Sequence, residues 1–334
     1  MVLKNSELKS IFEAFTDFRI MVIGDVMIDS YLWGKVDRIS PEAPVPIVTS
    51  QKQENRLGGA ANVALNIQAL GATPLLCSVT GNDERRQLLL DLMDNQGMTT
   101  EGIVYDDSRI TTTKTRIISN SQQLLRVDRE DDRYLSANIE TEFLKRIELM
   151  LNKHQIDAII FQDYDKGVIT PAIIEKVVEN SNARNIPTLV DPKRRNFTTY
   201  KNVTLFKPNF KEFNEGLKTE TRKDNPASIF KESAVISTNW NVQYVMITLS
   251  EKGIFISKGD KYWTLPAEIR DIADVSGAGD TVISMASLCL AAGLGPEEIA
   301  WLSNIAGGLV CEKVGVVPVN RDLLLEECLA LNNK

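Results

Sequence analysis

Short apolar runs alternate with longer segments of helical periodicity along almost the whole chain. Runs rich in Val, Ile and Phe predict buried strands at residues 19–23, 75–79, 158–161, 188–190, 203–206 and 244–248. The stretches between them predict helices at residues 62–70, 85–95, 139–152, 171–183, 227–239, 280–292 and 296–312. This alternation is typical of an α/β fold, in which helices cover both faces of a mainly parallel sheet.

Polar side chains stand where several of these strands end. Asp163, Asp191, Asn209 and Asp280 each follow a predicted strand closely. Because such sheets bind ligands at the carboxyl ends of their strands, we expect these residues to converge on one edge. No repeat, low-complexity tract or long linker divides the chain, so residues 1–334 are expected to form one domain.

Two extended segments interrupt the α/β pattern. Residues 32–50 are rich in proline and β-formers, and residues 111–128 predict two short strands around a turn at residues 119–121. We interpret both segments as a small β-sheet lid beside the main domain. A lid excludes water from a reaction that water would otherwise divert.

Composition narrows the class of protein. The chain has 334 residues, 43% hydrophobic and 25% charged, with a net charge of −7, which fits a soluble globular protein. Because nucleic acids and anionic membranes need a basic face, neither is an expected partner. Residues 1–18 lack the apolar core of a signal peptide, and the longest apolar run, residues 282–294, is too short to span a bilayer. We therefore expect a cytoplasmic protein.

Cysteine and histidine usage adds two expectations. The four cysteines are widely spaced in apolar or helical surroundings, which predicts buried thiols in a reducing compartment and no metal site. The chain has one histidine, His154, so a general base is expected to be a carboxylate.

The most informative motif is Asp274-Val275-Ser276-Gly277-Ala278-Gly279-Asp280-Thr281, which precedes a long apolar helix. The first N–H groups of a helix lack partners and face a positive dipole end, so this start can hold a phosphate. A carboxylate such as Asp280 repels phosphate unless it must take a proton from an attacking hydroxyl. The motif therefore suggests phosphoryl transfer to an alcohol. The alternative is an ordinary tight turn, and neither a Rossmann nor a Walker pattern is present.

Two further motifs have both a functional and a structural interpretation. Gly58-Gly59 with Asn62 opens the second predicted helix, where glycines allow close approach of a ligand and an amide can bind sugar hydroxyls. Asn209 and Glu212 share one face of a helix start and can hold hydrated magnesium. For both motifs the alternative is a turn followed by a helix cap.

In this order the motifs resemble those of the ribokinase family of sugar kinases, also called the PfkB family. The resemblance covers nearly the whole chain. It implies a three-layer α/β/α sandwich with a mainly parallel sheet and a β-sheet lid, and it implies ATP and Mg²⁺, with K⁺ as a candidate monovalent ion.

One branch of this family matches more closely, namely the kinase halves of bacterial bifunctional heptose-phosphate kinase/adenylyltransferases. The matching segments are residues 24–29, 38–46, 58–62, 122–128, 163–167, 191–193 and 274–281. This resemblance implies ATP-dependent phosphorylation of O1 of D-glycero-β-D-manno-heptose 7-phosphate, on the route to the ADP-heptose of lipopolysaccharide core. Arg194-Arg195 departs from the expected pattern, and the end of the chain at Lys334 leads us to expect a kinase without the second half.

The resemblance also implies roles for individual residues. Asp280 would be the base, with Gly277, Ala278 and Gly279 forming the anion hole. Sugar hydroxyls would be bound by Asp29, Gly58, Gly59, Asn62 and Asp163. Asn209 and Glu212 would organise magnesium and the ATP phosphates through water, and Asp274 would lie at a monovalent-cation site. The adenine and ribose would lie against Thr248, Gly253 and Asn304. The basic residues Arg38, Arg126, Lys166 and Lys193 would contact the sugar phosphate, with Arg116 a further candidate, unless they are solvated surface charges.

Three alternatives remain open at this stage. The chain can be a kinase of another sugar or sugar phosphate on the same fold. It can be a catalytically silent sugar sensor, against which the intact Asp280 and its glycines argue, or a nucleotide-dependent regulator, for which no dedicated feature is present. A homodimer formed through the lid is expected from the resemblance, because short lid strands leave edges that need covering.

Overall fold

The computed structural model describes residues 3–119 and 122–332. Its strands are β1 (Arg19–Gly24), β2 (Val26–Ile39), β3 (Pro46–Gly59), β4 (Thr73–Gly81), β5 (Ile103–Asp106), β6 (Thr113–Ser119), β7 (Gln122–Arg129), β8 (Ala158–Gln162), β9 (Thr188–Asp191), β10 (Leu205–Phe206), β11 (Tyr244–Thr248), β12 (Ile254–Lys258) and β13 (Lys261–Leu265). Its helices are α1 (Asn5–Ala14), α2 (Ala60–Ala69), α3 (Glu84–Asn95), α4 (Ala137–Lys153), α5 (Pro171–Ala183), α6 (Phe210–Leu217), α7 (Pro226–Asn239), α8 (Ala278–Ala291), α9 (Pro296–Cys311) and α10 (Arg321–Asn332).

Nine of the described strands form the central sheet, in the order β13-β12-β11-β10-β9-β8-β1-β4-β5. The neighbouring strands β11, β10, β9, β8, β1, β4 and β5 pair in parallel. Only the pairs β11–β12 and β12–β13, at one edge, are antiparallel. The expected mainly parallel sheet is therefore confirmed.

Side chains of the sheet alternate between two hydrophobic cores, as the period of a strand requires. In β1, Ile20 and Val22 pack into the core shared with α1, α2, α3, α8, α9 and α10. Met21 and Ile23 point to the opposite face and pack with α4, α5, α6 and α7. The two cores on either side of one sheet give the three-layer sandwich that the resemblance implied.

The remaining described strands form the lid, in the order β3-β2-β6-β7. The strands β2 and β3 extend beyond the expected segment at residues 32–50. They pair from Val26 and Gly59 at the main domain to Ile39 and Pro46 at the tip, with the register shifted at two places along the way. The second expected segment forms β6 and β7. Of the turn expected at residues 119–121, Asn120 and Ser121 lie outside the described residues.

Several elements were not expected from the pattern. They are the helices α1, α6 and α10 and the strands β5, β12 and β13. The three helices bury few side chains, for example only Phe213 in α6, so few apolar positions mark them in the sequence. The thiols of all four cysteines are free and buried, as expected. Within the described part of the chain, no helix combines the length and apolar character needed to cross a bilayer.

Candidate active site

The ends of neighbouring parallel strands bring polar side chains together beside the start of α8. Gln162 ends β8, Asp191 ends β9 and Lys207 follows β10. All three are buried. Asp280 joins them from the first turn of α8 rather than from a strand end. The expected convergence of Asp191 and Asp280 is thus found, and Gln162 and Lys207 belong to the same cluster.

Asp280 is the centre of this cluster. Its Oδ2 accepts a hydrogen bond of 2.7 Å from Asn62 Nδ2. Its Oδ1 accepts from Tyr164 Oη at 2.7 Å and from Gln162 Nε2 at 3.1 Å. Burial raises the pKa of Asp280 from 3.8 to about 6, although the donors Asn62 and Tyr164 lower it. A carboxylate with a pKa near neutrality can accept a proton during a reaction and release it afterwards.

Helix α8 begins at a glycine for a steric reason. Gly277 has φ +83°, a left-handed conformation that side chains disfavour. Gly279 differs, because a Cβ atom there would lie 3.8 Å from both Asp191 Oδ2 and Lys207 Nζ, in ordinary contact. The open side of Gly279 therefore faces the Lys207–Asp191 ion pair, at the positive end of a helix, where the dipole favours an anion.

Lys207 provides the cation of this pair and was not expected from the sequence. Its side chain is only 2% exposed, and its Nζ lies 3.0 Å from Asp191 Oδ2. The signal that it shares with Asp163 and Asp191 is a polar residue directly after a buried strand. A buried ammonium beside the helix start can offset the charge of a transferring phosphoryl group.

Lys193 lies on the other side of Asp191, 4.0 Å from its Oδ1, and contacts Glu212. Burial acts to lower the pKa of Lys193, but Asp191 and Glu212 outweigh it and raise that pKa above its ordinary value. Lys193 therefore belongs to the buried charge cluster of the site.

The expected sugar-binding glycines lie against Asp29 and Asp25. A Cβ atom on Gly58 would lie 2.1 Å from Asp29 Oδ2, and one on Gly59, where φ is +60°, would lie 2.4 Å from the Asp25 carbonyl oxygen. Asp29 is buried and forms an ion pair with Arg116. Asn62 lies in the first turn of α2 and links this region to Asp280.

Asp163 is close to this region, but its oxygens are already engaged inside the protein. Oδ2 accepts hydrogen bonds from Tyr200 Oη at 2.7 Å and from Asn196 Nδ2 at 3.1 Å. Oδ1 accepts from the backbone N–H of Asp165 at 2.8 Å. Burial raises the pKa of Asp163. The structure thus gives Asp163 a clear structural task, and its contact with a sugar stays a prediction.

Asn209 and Glu212 form a capping box at the start of α6. Asn209 Oδ1 accepts from the Glu212 backbone N–H, and Glu212 Oε2 accepts from the Asn209 backbone N–H, both at 2.9 Å. Glu212 also contacts Lys193. No group of three or more His, Cys, Asp and Glu side chains suited to a metal ion occurs among the described residues. With their oxygens so engaged, this pair fits a magnesium ion only through its water ligands and the phosphates.

Asp274 accepts hydrogen bonds from the segment before α8 and from the segment after α9. Its Oδ1 accepts from the Ser276 N–H at 2.9 Å and its Oδ2 from the Gly315 N–H at 3.0 Å. Burial acts to raise the pKa of Asp274, but these backbone donors outweigh it and lower that pKa. Asp274 is therefore an ionised carboxylate next to the helix start, which is compatible with a nearby cation.

The same post-α9 segment also contacts the lid. Val316 accepts a hydrogen bond at its carbonyl oxygen from Arg56 Nη1 at 3.2 Å, and its N–H donates to Tyr31 Oη at 3.5 Å. A Cβ on Gly277 would lie 3.3 Å from Val316 Cγ1. Residues 315–316 therefore touch the lid, the start of α8 and Asp274 together.

The expected nucleotide residues lie at the end of β11, directly before β12 and on α9. Thr248 forms an isolated parallel β-bridge with Asn209. Gly253 has φ +86°, and a Cβ there would lie 1.9 Å from the Leu265 carbonyl oxygen. Asn304 Nδ2 donates to the Pro266 carbonyl oxygen at 2.7 Å. Residues 265–267 thus connect Gly253 with Asn304.

The basic residues expected to contact a sugar phosphate have different locations. Arg126 pairs with Asp128 on the exposed strand β7, and Lys166 lies 2.9 Å from Glu130. Arg38 is exposed near the tip of the lid, nine residues along β2 from Asp29, which is roughly 30 Å in an extended strand. This distance separates Arg38 from the Asp29 region of its own chain.

Comparisons with known proteins identify the family of the chain. The profile of the pfkB family carbohydrate kinases matches residues 17–322. The bifunctional protein HldE of Pelobacter propionicus is 38% identical over 313 residues, and that of Koribacter versatilis is 40% identical over 324 residues. These alignments cover 93% and 97% of this chain but 63% and 65% of the relatives, so the chain spans about two thirds of the length of the proteins it matches.

Solved structures share the fold at low identity. Phosphofructokinase-2 from Escherichia coli, in its tetrameric inhibited form, has a TM-score of 0.76 at 16% identity, covering 95% of this chain and all of its own. Arabidopsis thaliana ribokinase complexed with ribose and ATP has a TM-score of 0.69 at 16% identity, covering 92% of this chain and 98% of its own. The family match over most of the chain, together with the buried Asp280 at the start of α8, shows that this chain belongs to the pfkB family of carbohydrate kinases, enzymes that transfer a phosphoryl group from ATP to a sugar.

Proposed function

We propose that this chain transfers the γ-phosphoryl group of ATP to O1 of D-glycero-β-D-manno-heptose 7-phosphate, giving the 1,7-bisphosphate for lipopolysaccharide core synthesis in the cytoplasm. The observation that carries the reaction type is Asp280, a buried carboxylate with raised pKa at the positive end of α8. The specific sugar is supported by the resemblance through residues 38–46 and 122–128, which lie outside the motifs common to the family. The HldE relatives support it as well.

The residues of this chain divide the chemical work among them. Asp280 takes the proton of the attacking hydroxyl, and Asn62, with Asp29, orients the sugar. The N–H groups at the start of α8 and the ammonium of Lys207 stabilise the negative charge of the transferring phosphoryl group. Magnesium bound with ATP would neutralise phosphate charge, and Asn209 and Glu212 would reach it through water. The lid excludes water from the site.

A distal phosphate finds suitable partners on the inner face of the lid. Arg116 on β6 stands directly opposite Arg126 on β7, an arrangement of like charges that is unfavourable unless anions offset it. Asp29 and Asp128 pair with these arginines, and Lys114 and Lys166 both contact Glu130. Four basic groups therefore share three carboxylates, and a phosphate dianion can replace some of those contacts.

We further propose a homodimer formed through the outer face of the lid. Every residue of β7 is exposed, and Leu125 and Val127, 56% and 51% exposed, point to the face opposite Arg126. A second copy of the lid would cover this apolar edge. Sedimentation velocity of the full chain tests this proposal, and a monomer at micromolar concentration would refute it.

The substrate assignment is tested by kcat/KM with ATP and magnesium across a panel of sugars. We expect the heptose 7-phosphate to exceed ribose, fructose and fructose 6-phosphate, and to exceed the unphosphorylated heptose by about 10²-fold, since a charge-assisted contact of roughly 1.5–3 kcal/mol also helps to orient O1. If fructose 6-phosphate or ribose equals it, another kinase of this family is the correct assignment.

A variant locates the distal phosphate. Arg126→Gln should lower kcat/KM for the phosphorylated heptose about tenfold or more and leave the unphosphorylated heptose almost unchanged. Arg222→Gln is the matched control, because Arg222 also pairs with an exposed carboxylate, Asp224. Equal losses for both sugars would remove Arg126 from phosphate recognition.

A further inference from the structure

The two oxygens of the Asp280 carboxylate are used unequally. A carboxylate offers about four acceptor positions, two on each oxygen. Oδ1 accepts two hydrogen bonds, from Tyr164 Oη at 2.7 Å and from Gln162 Nε2 at 3.1 Å. Oδ2 accepts one, from Asn62 Nδ2 at 2.7 Å. One acceptor position on Oδ2 is therefore left.

We propose that Tyr164 and Gln162 are positioning residues for Asp280, which saturate Oδ1, keep the carboxylate ionised and leave Oδ2 as the atom that takes the proton of the sugar hydroxyl. This inference rests on the proposed role of Asp280 as the base. Neither residue was expected from the sequence to act on Asp280.

Backbone hydrogen bonds hold both residues in position beside Asp280. Gln162 is the last residue of β8, and its carbonyl oxygen accepts from the Asp25 N–H at 3.2 Å. The buried carboxylate of Asp25 accepts from the backbone N–H groups of Tyr164, Lys166 and Val168, at 2.8, 3.1 and 3.0 Å. Asp25 thus fixes the loop that carries Tyr164, so the phenol is held in place before a sugar arrives.

Two acceptor atoms beside the carboxylate reinforce the assignment. Asn62 Oδ1 and Gln162 Oε1 are buried and have no hydrogen-bond donor in the described structure. Their NH₂ groups must face Asp280, because an ionised carboxylate only accepts. Buried acceptors usually have a partner, and a hydroxyl next to the reacting one on a sugar would supply it. The cluster therefore presents Oδ2 and two amide oxygens to adjacent hydroxyls.

The step that follows is balanced. The O–H bond of the reacting hydroxyl breaks, and its proton goes to Asp280 Oδ2. The oxygen electron pair forms the new bond to the γ-phosphorus of ATP. The bond from that phosphorus to the β,γ-bridging oxygen breaks, and its pair leaves with ADP. Asp280 releases the proton to solvent after the products depart.

The charged groups around Asp280 determine its pKa, and so the pH above which it can accept a proton from the sugar. Burial and Asp191 raise the pKa of Asp280, whereas Asn62, Tyr164 and Lys207 lower it, and Lys193 lies near enough to interact with it. Burial and the Asp280 charge raise the pKa of Tyr164 well above 10, so its hydroxyl donates throughout the neutral range. Loss of that hydroxyl must shift the titration of Asp280 upward.

The test compares Tyr164→Phe and Gln162→Met with Tyr134→Phe. Tyr134 is a matched control, since its hydroxyl donates to Asn196 Oδ1 at 2.9 Å and not to Asp280. The pH profile of kcat/KM is measured between pH 5 and 9 with the best sugar. We expect the midpoint of its acid limb, where activity falls as the pH is lowered, to rise by roughly one to two pH units in Tyr164→Phe. Above that limb kcat should fall about tenfold, with sugar KM changed less than about threefold, and Gln162→Met should show a smaller shift.

A second measurement needs no substrate. Carboxyl ¹³C NMR of aspartate-labelled protein, assigned with Asp280→Asn, should show the same upward shift in Tyr164→Phe. The same shift, with phosphorylation of a sugar other than the heptose 7-phosphate, would keep this inference and reject the proposed substrate. An unchanged titration in folded Tyr164→Phe, or a raised sugar KM with unchanged kcat, would overturn the inference.

Discussion

Asp280 carries its charge where burial opposes it, so this carboxylate, which is the proposed base, also affects the stability of the fold. Its pKa in the folded protein is about 6, above its ordinary 3.8. The folded state therefore binds this proton more tightly than the unfolded chain does. The resulting stabilisation is full below about pH 4 and is lost as the pH rises through 6.

Asp280→Asn should therefore have opposite effects on rate and stability. We expect kcat to fall by about 10²–10⁴, the range for loss of a general base, while ATP and sugar still bind. The free energy of unfolding at pH 8 should rise by up to about 3 kcal/mol, because the two-unit shift is worth ~1.36 kcal/mol per unit. The rise should vanish near pH 4.

Urea unfolding at pH 4 and pH 8, together with steady-state kinetics, checks both parts. The orphaned oxygen of Asn62 can turn to accept from the new amide, so the variant should fold. A variant with near wild-type kcat would remove Asp280 from the mechanism.

At this scale the sequence predicted that Asp280 and Asn62 belong to one site, but it did not predict the rest of the cluster. Asp280 and Asn62 lie in motifs that can be recognised locally. Gln162 and Tyr164 meet Asp280 across 118 and 116 residues, a contact that depends on which strands become neighbours. Lys207 likewise joins the cluster only through its ion pair with Asp191 on the adjacent strand, which the sequence pattern does not reveal.

Among the elements, the start of α8 contains two glycines that look equivalent in the sequence but have different roles in the structure. Gly277 needs its positive φ, whereas Gly279 has room for a methyl group in ordinary contact with Asp191 and Lys207. We expect Gly277→Ala to lower the free energy of unfolding by about 1 kcal/mol. Gly279→Ala should keep the wild-type stability but lower kcat about 10–100-fold, because its methyl group enters the phosphoryl site.

Thermal unfolding and kcat of the two variants distinguish these roles. A Gly279→Ala protein with wild-type kcat would reduce Gly279 to part of a turn. Gly293→Ala is a suitable control, because this exposed glycine also has a positive φ, +73°, and lies outside the site.

The elements themselves were predictable in proportion to how much they bury. Central strands such as β8, buried at every position, stand out as apolar runs. The edge strand β13 is mostly exposed, and its sequence resembles that of a loop. The lid strands β2 and β3 were expected to be shorter, because the inner half of β2 is buried whereas residues 51–56 of β3 are all polar, so the two halves do not share one strand pattern.

For the whole molecule, ATP chemistry should depend on cations. The phosphates of ATP need a divalent ion to offset developing charge, and Asn209, Glu212 and Asp274 are the residues expected near cations. Activity should be lost in excess EDTA and restored by Mg²⁺, and it should be higher in KCl than in NaCl of equal ionic strength. Full activity in EDTA would contradict the first part, and equal rates in the two salts would contradict the second.

Residues 315–316 meet the lid through Tyr31 and Arg56, the start of α8 through Gly277, and Asp274 through a backbone N–H. This segment thus contacts both the lid, where we propose that the sugar binds, and the start of α8, where we propose that the ATP phosphates bind. We therefore expect binding of one ligand to affect binding of the other. Thermodynamic reciprocity then requires that the factor by which sugar tightens ATP equals the factor by which ATP tightens sugar. Calorimetric titration of each ligand, with and without the other, measures the two factors, and the Asp280→Asn variant prevents turnover during the titration. We expect the two factors to be equal. Adding Arg56→Ala should bring both factors toward 1 and leave the affinity for each ligand alone unchanged.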